Sequence, residues 1–263
     1  MSRLAARFTA LKADHAKALI AFVTAGDPDL TTTGEIILLL EHSGADVIEL
    51  GVPFSDPMAD GPTIQRSSER ALSSGTTLHG ILELVKRVRR RTEVPIILMG
   101  YLNPVHAYGY DIFCHDASEA GVDGLLLVDM PPEESSELLL PARHYGLDVI
   151  FLLTPTSDAE RIAAVERLGS GFVYYVTVTG VTGARASVST SLAQELAGVK
   201  QKISLPVMAG FGISTSGQAA QVGKLADGIV VGSAIVKLFE QYSGAELNQH
   251  LGSYVASLKQ ALG

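Results

Sequence analysis

Short apolar runs alternate along the chain with longer segments in which apolar residues recur at the spacing of an α-helix. The apolar runs predict eight strands, which we place at residues 19–24, 47–50, 95–99, 124–128, 149–153, 172–177, 206–209 and 228–231. Segments such as SDAERIAAVERLG lie between them, with acidic or hydroxyl residues early and glycine at the end, as helix caps require. This alternation predicts an α/β fold, a (βα)₈ TIM barrel.

The barrel is expected to form a single domain spanning residues 1–263. No Pro/Gly linker or change in composition marks a boundary, and SGADVIEL, AGVDGLLL and KLADGIVV repeat one order of helix end, Asp and buried strand. Leu4, Phe8 and Leu11 have helical spacing and predict an extra helix before the first strand. A further short helix, AIVKLFE, is expected to open at Ser233, after the last strand.

Charge and cysteine content narrow the class of protein. The formal charge is −8, which argues against nucleic acid or an anionic membrane as the main partner. The basic run KRVRRR overlaps a helical apolar stripe, so we expect its arginines on a solvated helix face. Cys114 is the single cysteine, which favours a reducing, cytoplasmic compartment. The histidines lack metal-ligand spacing and no apolar run reaches the ~20 residues of a membrane span, so neither metal nor membrane is expected.

One acid interrupts an otherwise apolar strand, DVIELG. Alternation along this strand turns Val47 and Glu49 to the inside of the barrel, and Glu49 lies near the C-terminal end of the strand, where barrel active sites are found. The alternative is a structural acid paired with an interior Lys or Arg. None of the eight predicted strands contains either residue, so we expect a functional carboxylate.

The loop after this strand, GVPFSDPMADGPTIQ, carries two further acids, Asp56 and Asp60. Both have a structural alternative, since Asp often forms turns, and Asp60 stands just before Gly61-Pro62, where a helix is expected to begin. Two carboxylates above one barrel mouth nonetheless allow acid and base roles to be divided between them.

Glycine-rich segments follow the last three strands. GFGIS follows strand seven, and Gly232-Ser233 follows strand eight and opens a helix whose N-terminus favours an anion. Because loops seven and eight are the usual phosphate position in this fold, the pair predicts a phosphorylated substrate. The loop TGVTGAR after strand six has the composition of a mobile lid.

Four motifs, LGVPFSDPMADGPTIQ, YYVTVTGVTGAR, MAGFGIST and VVGSAIVK, occur in this order on these strands, with LMGYLNP after strand three. Together the chain resembles the α subunit of tryptophan synthase over nearly its whole length. The resemblance implies cleavage of indole-3-glycerol phosphate to indole and glyceraldehyde 3-phosphate, without metal or cofactor on this chain. It implies that Glu49 is the general acid/base that protonates the indole ring carbon and that Asp60 stabilises the indole N–H.

The resemblance also assigns binding residues by motif position. A phosphate cradle is implied at Gly183, Gly212, Gly232 and Ser233, and a pocket for the indole and the glycerol chain at Phe22, Tyr101, Tyr174 and Phe211. Thr182 is expected to close over substrate and contact Asp60. Two departures from the family pattern are Thr177, where Ser is more common, and Ser216-Gly217, which leaves the start of the following helix uncertain.

The family arrangement implies a partner, two such chains assembling with a dimer of β subunits that carries pyridoxal phosphate. Loops around Asp56-Pro57 and Asn103-Pro104 are expected to form the contact. Three alternatives stay open at this point: another phosphosugar isomerase or aldolase barrel, a glycosidase using Glu49 and Asp60, and a non-catalytic activator of a partner enzyme. A Schiff-base aldolase needs a strand lysine, which is absent, and a glycosidase has no use for a phosphate cradle.

Overall fold

The computed structural model describes residues 2–176, 190–210 and 212–263. Eight parallel strands pair in chain order and close between the last and the first, so the (βα)₈ barrel prediction is confirmed. The strands are β1 (Ala18–Thr24), β2 (Val47–Gly51), β3 (Ile96–Gly100), β4 (Gly124–Leu127), β5 (Asp148–Leu153), β6 (Val173–Val176), β7 (Val207–Gly210) and β8 (Gly228–Val231). Their bounds agree with the prediction to within one or two residues, apart from Thr177, which lies outside the described residues.

The described residues form twelve α-helices, most of which cover the outside of the barrel. They are α1 (Arg3–Ala13), α2 (Leu30–His42), α3 (Pro62–Ser73), α4 (Leu78–Val88), α5 (Leu102–Tyr108), α6 (Tyr110–Ala120), α7 (Ser136–His144), α8 (Ala159–Leu168), α9 (Thr190–Lys200), α10 (Ser216–Gly223), α11 (Ser233–Gln241) and α12 (Gly244–Leu262). None of the helices in these three ranges is long and apolar enough to cross a membrane.

The helices begin where the sequence offers a cap. The carboxylates of Asp29 and Asp158 accept backbone N–H groups in the first turns of α2 and α8. At α10 the uncertain boundary is resolved, since the Thr215 side chain accepts from the Gln218 N–H and the Gln218 side chain returns the bond to the Thr215 backbone. Ser216 is therefore the first residue of that helix.

Strand alternation separates two apolar layers. Residues such as Leu19, Ala21 and Val23 face outward and pack with the helices, whereas Ala18 and Ile20 face the barrel interior. The expected helix before β1 is present as α1, and its buried Leu4 and Leu11 pack into the interior layer. Helix α1 thus closes the N-terminal end of the barrel and leaves the C-terminal end for chemistry.

The expectation for the basic run was wrong at one residue. The Arg89 side chain is only 9% exposed, and it donates to the carbonyls of Val94 and Gly121 and to the Asp123 carboxylate. Arg89 follows the last residue of α4, where the chain turns inward toward β3, so the solvated face of the helix no longer applies to it.

Candidate active site at the barrel mouth

Glu49 lies on β2 with its side chain inside the barrel, and the residue is 2% exposed. Its Oε2 atom has no hydrogen-bond partner among the described residues, and no cation pairs with it there, so the structural-acid alternative fails in this part of the chain. Loss of hydration raises the pKa of Glu49 to about 8, and the nearby charge of Asp60 adds to this effect. The group therefore holds a proton at neutral pH and is able to release it.

Asp60 faces the same space from the loop after β2. Burial raises the pKa of Asp60 to about 6, and a hydrogen bond from the Tyr101 hydroxyl acts in the opposite direction. The helix after this loop begins at Pro62 with Gly61 as its N-cap, so Asp60 does not cap it and that alternative is wrong. The two carboxyl groups thus have different pKa values, which is the arrangement expected of an acid and its complement.

Tyr101 connects the loop to β3. Its hydroxyl accepts a hydrogen bond from the Ala59 backbone N–H at 2.9 Å and donates one to the Asp60 carboxylate. The centroid of its ring lies 5.2 Å from that of Phe54. Burial raises the pKa of Tyr101 to about 12, and the Asp60 charge contributes, so the phenol stays neutral and acts as a donor. Tyr101 therefore fixes the end of the loop on which Asp60 lies.

Phe22 lies beside Glu49 in the pairing of β1 with β2 and is 5% exposed. A Cβ atom added to Gly51 would lie 2.6 Å from the Phe22 ring, so only glycine fits there. A Cβ added to Gly232 would lie 3.4 Å from Phe22, which places the start of α11 against the same side chain. Phe22 thus links β2, on which Glu49 lies, to the predicted phosphate segment.

Tyr174 enters the mouth from β6. A Cβ atom added to Gly210, at the end of β7, would lie 2.3 Å from the Tyr174 hydroxyl oxygen, so the phenol occupies space that any other residue at position 210 would fill. Burial, and then the charge of Glu49, raise the pKa of Tyr174 well above its ordinary value. The structure therefore brings Tyr174 close to Glu49, as the motif position implied.

The predicted phosphate residues Gly212, Gly232 and Ser233 lie just after the ends of β7 and β8. Gly212 has φ of 75°, a left-handed conformation that favours glycine, and Gly232 is the N-cap of α11 without a side-chain capping bond. The first N–H groups of α11 are therefore free of a capping side chain, and Ser233 is its first residue. Thr182, Gly183 and Phe211 lie outside the described residues, so their assignments stay predictions.

The two segments that were expected to form partner-binding loops, Asp56-Pro57 and Asn103-Pro104, differ in structure. Asn103-Pro104 belongs to α5 and not to a loop, so that description was wrong, although the helix starts directly after the end of β3. The α5 start is held by the Asp129 carboxylate, which accepts the Leu102 N–H. Asp56 is exposed and accepts from its neighbour Ser55, as a turn residue does.

Sequence reasoning missed the role of two glycines, Gly51 and Gly210, which make room for Phe22 and Tyr174. Gly210 was expected in the glycine segment GFGIS after strand seven, whereas it is the last residue of β7. Both glycines lie on interior-facing positions at the end of a strand, two residues after an inward residue of the same strand. Extending the alternation beyond Glu49 and Met208 would have marked them, because an interior glycine at the barrel mouth leaves space for a neighbour.

Comparison with known proteins decides the family. The protein-family sequence model described as tryptophan synthase alpha chain matches residues 8–262. The tryptophan synthase alpha chain of Pelobacter propionicus is 64% identical over 262 residues, which cover 100% of this chain and 98% of that one. This chain belongs to the tryptophan synthase alpha chain family. It is accordingly an enzyme, a lyase of tryptophan biosynthesis.

Other members of the tryptophan synthase alpha chain family agree in sequence and in fold. The alpha chain of Geobacter sulfurreducens is 60% identical over 263 residues, which cover 100% of both chains. The crystal structure of tryptophan synthase subunit alpha from Legionella pneumophila superposes with a TM-score of 0.93 at 40% identity, covering 100% of this chain and 98% of that one. The described barrel therefore has the fold of the family.

Proposed function

We propose that this chain cleaves indole-3-glycerol phosphate to indole and glyceraldehyde 3-phosphate, with Glu49 as general acid/base and Asp60 as the partner of the indole N–H. The observation that carries the proposal is the pair of unlike carboxyl groups in one barrel mouth, with pKa values raised to about 8 for Glu49 and about 6 for Asp60. At neutral pH this pair supplies one proton donor and one anion.

Glu49 acts on carbon. Its proton goes to the indole ring carbon that bears the side chain, and the bond from this carbon to the first glycerol carbon then breaks. The electron pair of that bond stays with the ring and restores its aromaticity. The hydroxyl on the first glycerol carbon loses its proton as the aldehyde forms, and the Glu49 carboxylate takes that proton up. The buried position of Glu49 keeps water away from the transfer to carbon.

Asp60 acts on the ring nitrogen. Protonation of the ring carbon places positive charge on the indole N–H, and an ionised carboxylate that accepts this hydrogen stabilises the charge. The hydrogen bond from Tyr101 favours the ionised form of Asp60 and fixes its direction. In this scheme Glu49 is needed protonated and Asp60 ionised, so activity is highest between about pH 6 and pH 8.

The substrate is held at its two ends. The phosphate is assigned to the free N–H groups at the start of α11, with Gly232 and Ser233, and to Gly212, because a helix N-terminus favours an anion. Phe22 and Tyr174 line the path from there to Glu49. Gly183 and Phe211 complete the cradle and the pocket in this proposal, and Thr182 closes over the substrate toward Asp60.

The proposal includes a partner. A tryptophan synthase structure from Mycobacterium tuberculosis, described as an aminoacrylate-bound form, matches this chain with a TM-score of 0.89 at 34% identity. We assign two copies of this chain to a β-subunit dimer that carries pyridoxal phosphate, with no cofactor on this chain and both subunits in the cytoplasm. The contact is assigned to Asp56-Pro57 and Asn103-Pro104, beside Met58, which is 92% exposed.

Release of indole from indole-3-glycerol phosphate tests the reaction. Purified wild-type chain is expected to release indole without added metal or cofactor, and a β subunit that carries pyridoxal phosphate is expected to bind the chain and raise the rate. No indole under either condition would overturn the reaction. Indole release that is unaffected by the β subunit would keep the reaction and remove the partner.

A further inference from the structure

Two buried side-chain oxygens at the barrel mouth have no hydrogen-bond partner among the described residues, Glu49 Oε2 and Thr24 Oγ1. The large majority of buried side-chain polar atoms in folded proteins are paired, so an unpaired one calls for an explanation. The proposed reaction accounts for Glu49 and makes no use of Thr24. The Thr24 hydroxyl is therefore a polar group whose partner is not among the described residues.

Strand register fixes where Thr24 lies. It is the last residue of β1 and is 3% exposed, and alternation from Ile20 and Phe22 turns its side chain into the barrel. Phe22 is in register with Glu49 and Thr24 is in register with Gly51, which has no side chain. Thr24 thus lies one interior layer nearer the open end than Glu49, and a ligand that reaches Glu49 from the mouth passes this layer.

We propose that the Thr24 hydroxyl binds a hydroxyl group on the glycerol chain of the substrate, beside the bond that is cleaved. This assignment rests on the proposed function. A threonine hydroxyl both donates and accepts, as an alcohol does, so the two groups satisfy each other. The Tyr101 hydroxyl, by comparison, is already engaged with Ala59 and Asp60. Thr24 is then the residue through which the site recognises a hydroxylated chain between ring and phosphate.

Melting temperatures measured without ligand distinguish a binding role of the Thr24 hydroxyl from a structural one. Thr24→Val keeps the branched shape and removes only a hydroxyl that has no partner in the described structure, so the melting temperature is expected to stay the same or rise. Thr24→Ser keeps the hydroxyl and removes a methyl group, and serves as the matched control. A hydroxyl needed for folding would instead lower the melting temperature of the valine variant.

Two small ligands test the contact itself, glycerol 3-phosphate, which carries hydroxyl groups, and propyl phosphate, which carries none. By calorimetry, Thr24→Val is expected to lose about five- to tenfold in affinity for glycerol 3-phosphate and to bind propyl phosphate as wild type does. Thr24→Ser is expected to bind both ligands nearly as wild type does. In turnover, Thr24→Val is expected to lower kcat/KM for indole-3-glycerol phosphate by a similar factor, mainly through KM.

Each other outcome counts against the contact. Equal losses for both ligands would assign Thr24 to packing of the phosphate site, and no loss for either would leave the hydroxyl without a role in binding. Wild-type chain that binds neither ligand would overturn the proposed phosphate site and the Thr24 assignment with it. Wild-type binding of propyl phosphate with an unchanged valine variant would overturn the Thr24 assignment alone.

Discussion

The two ends of the barrel treat buried carboxylates in opposite ways. At the N-terminal end Asp46 accepts from the Leu19 N–H at 2.7 Å and pairs with Lys259 at 2.7 Å and with Arg7. Asp123 repeats the pattern, and so does the partly exposed Asp227, each accepting an N–H of the preceding odd strand and pairing with a cation. At the C-terminal end Glu49 has no cation and leaves one oxygen unpaired among the described residues.

The paired carboxylates at one end of the barrel contribute to stability, and the unpaired one at the other end is available for chemistry. A buried carboxylate with backbone donors and a cation ties a strand to a helix, whereas burial without a cation raises the pKa of Glu49 to about 8, so that this group can deliver a proton. The sequence repeat Asp-then-strand supplies the first kind, since Asp46, Asp123 and Asp227 each precede an even strand. Glu49 stands near the other end of the strand that follows Asp46, and only a few residues separate the two roles.

The largest expected effect comes from removing the proton at the open end. Glu49→Gln keeps the size of the side chain and loses the acidic proton, so kcat for indole release is expected to fall by about 10² to 10⁴. Binding of glycerol 3-phosphate is expected to be close to wild type, because the proposed phosphate site lies at the start of α11. A variant that cleaves at a near-normal rate would show that Glu49 belongs with the structural acids.

Asp46→Asn makes the corresponding change at the closed end. It leaves Arg7 and Lys259 without their anion, and since both cations are partly exposed, the free energy of unfolding is expected to fall by about 2 to 4 kcal/mol. The kcat of the folded molecules is expected to stay unchanged. Urea unfolding measures the first quantity, with the exposed Glu83→Gln as control, which is expected to change stability little. Intact stability with lost activity would reverse the assigned roles of the two ends.

Glu49, at the open end of the barrel, should also lower the free energy of unfolding by an amount that depends on pH. The pKa of Glu49 is about 8 in the folded chain and 4.5 for an ordinary Glu, so the folded state binds the proton more tightly than the unfolded state does. The cost is absent below about pH 4.5, grows as the pH rises toward 8, and is constant above that value, where it reaches at most about 5 kcal/mol.

Melting curves of wild type and Glu49→Gln from pH 5 to pH 9 measure this cost. The glutamine variant is expected to be nearly equal to wild type at pH 5 and more stable at pH 8 and above, where the difference levels off. A glutamine variant that is less stable at every pH would reveal a cationic partner for Glu49 and end the contrast between the two ends.

Local pattern and register were enough to predict much of this molecule. Eight strands, the acid at the start of α8, and the inward direction of Glu49 all follow from alternation and from short-range hydrogen-bonding chemistry. The burial of Arg89 was not predictable in this way, because it depends on Asp123 and on carbonyls outside its own helix. The bond from Ala59 to Tyr101 joins residues 42 positions apart, and no local pattern marks such a pair.

Tyr101→Phe tests the smallest expected effect, the change that one hydrogen bond makes in the pKa of Asp60. The Tyr101 hydroxyl lowers the pKa of Asp60 against the larger effect of burial, so its removal is expected to raise that pKa above its present value of about 6. Asp60 is needed ionised, and the acidic limb of the kcat/KM profile is therefore expected to move to higher pH, by about one unit or less. The alkaline limb, which reports Glu49, is expected to stay in place. Loss of the Ala59 contact alone would lower the plateau and shift neither limb, and that result would make Tyr101 an anchor of the loop without an effect on the Asp60 carboxylate.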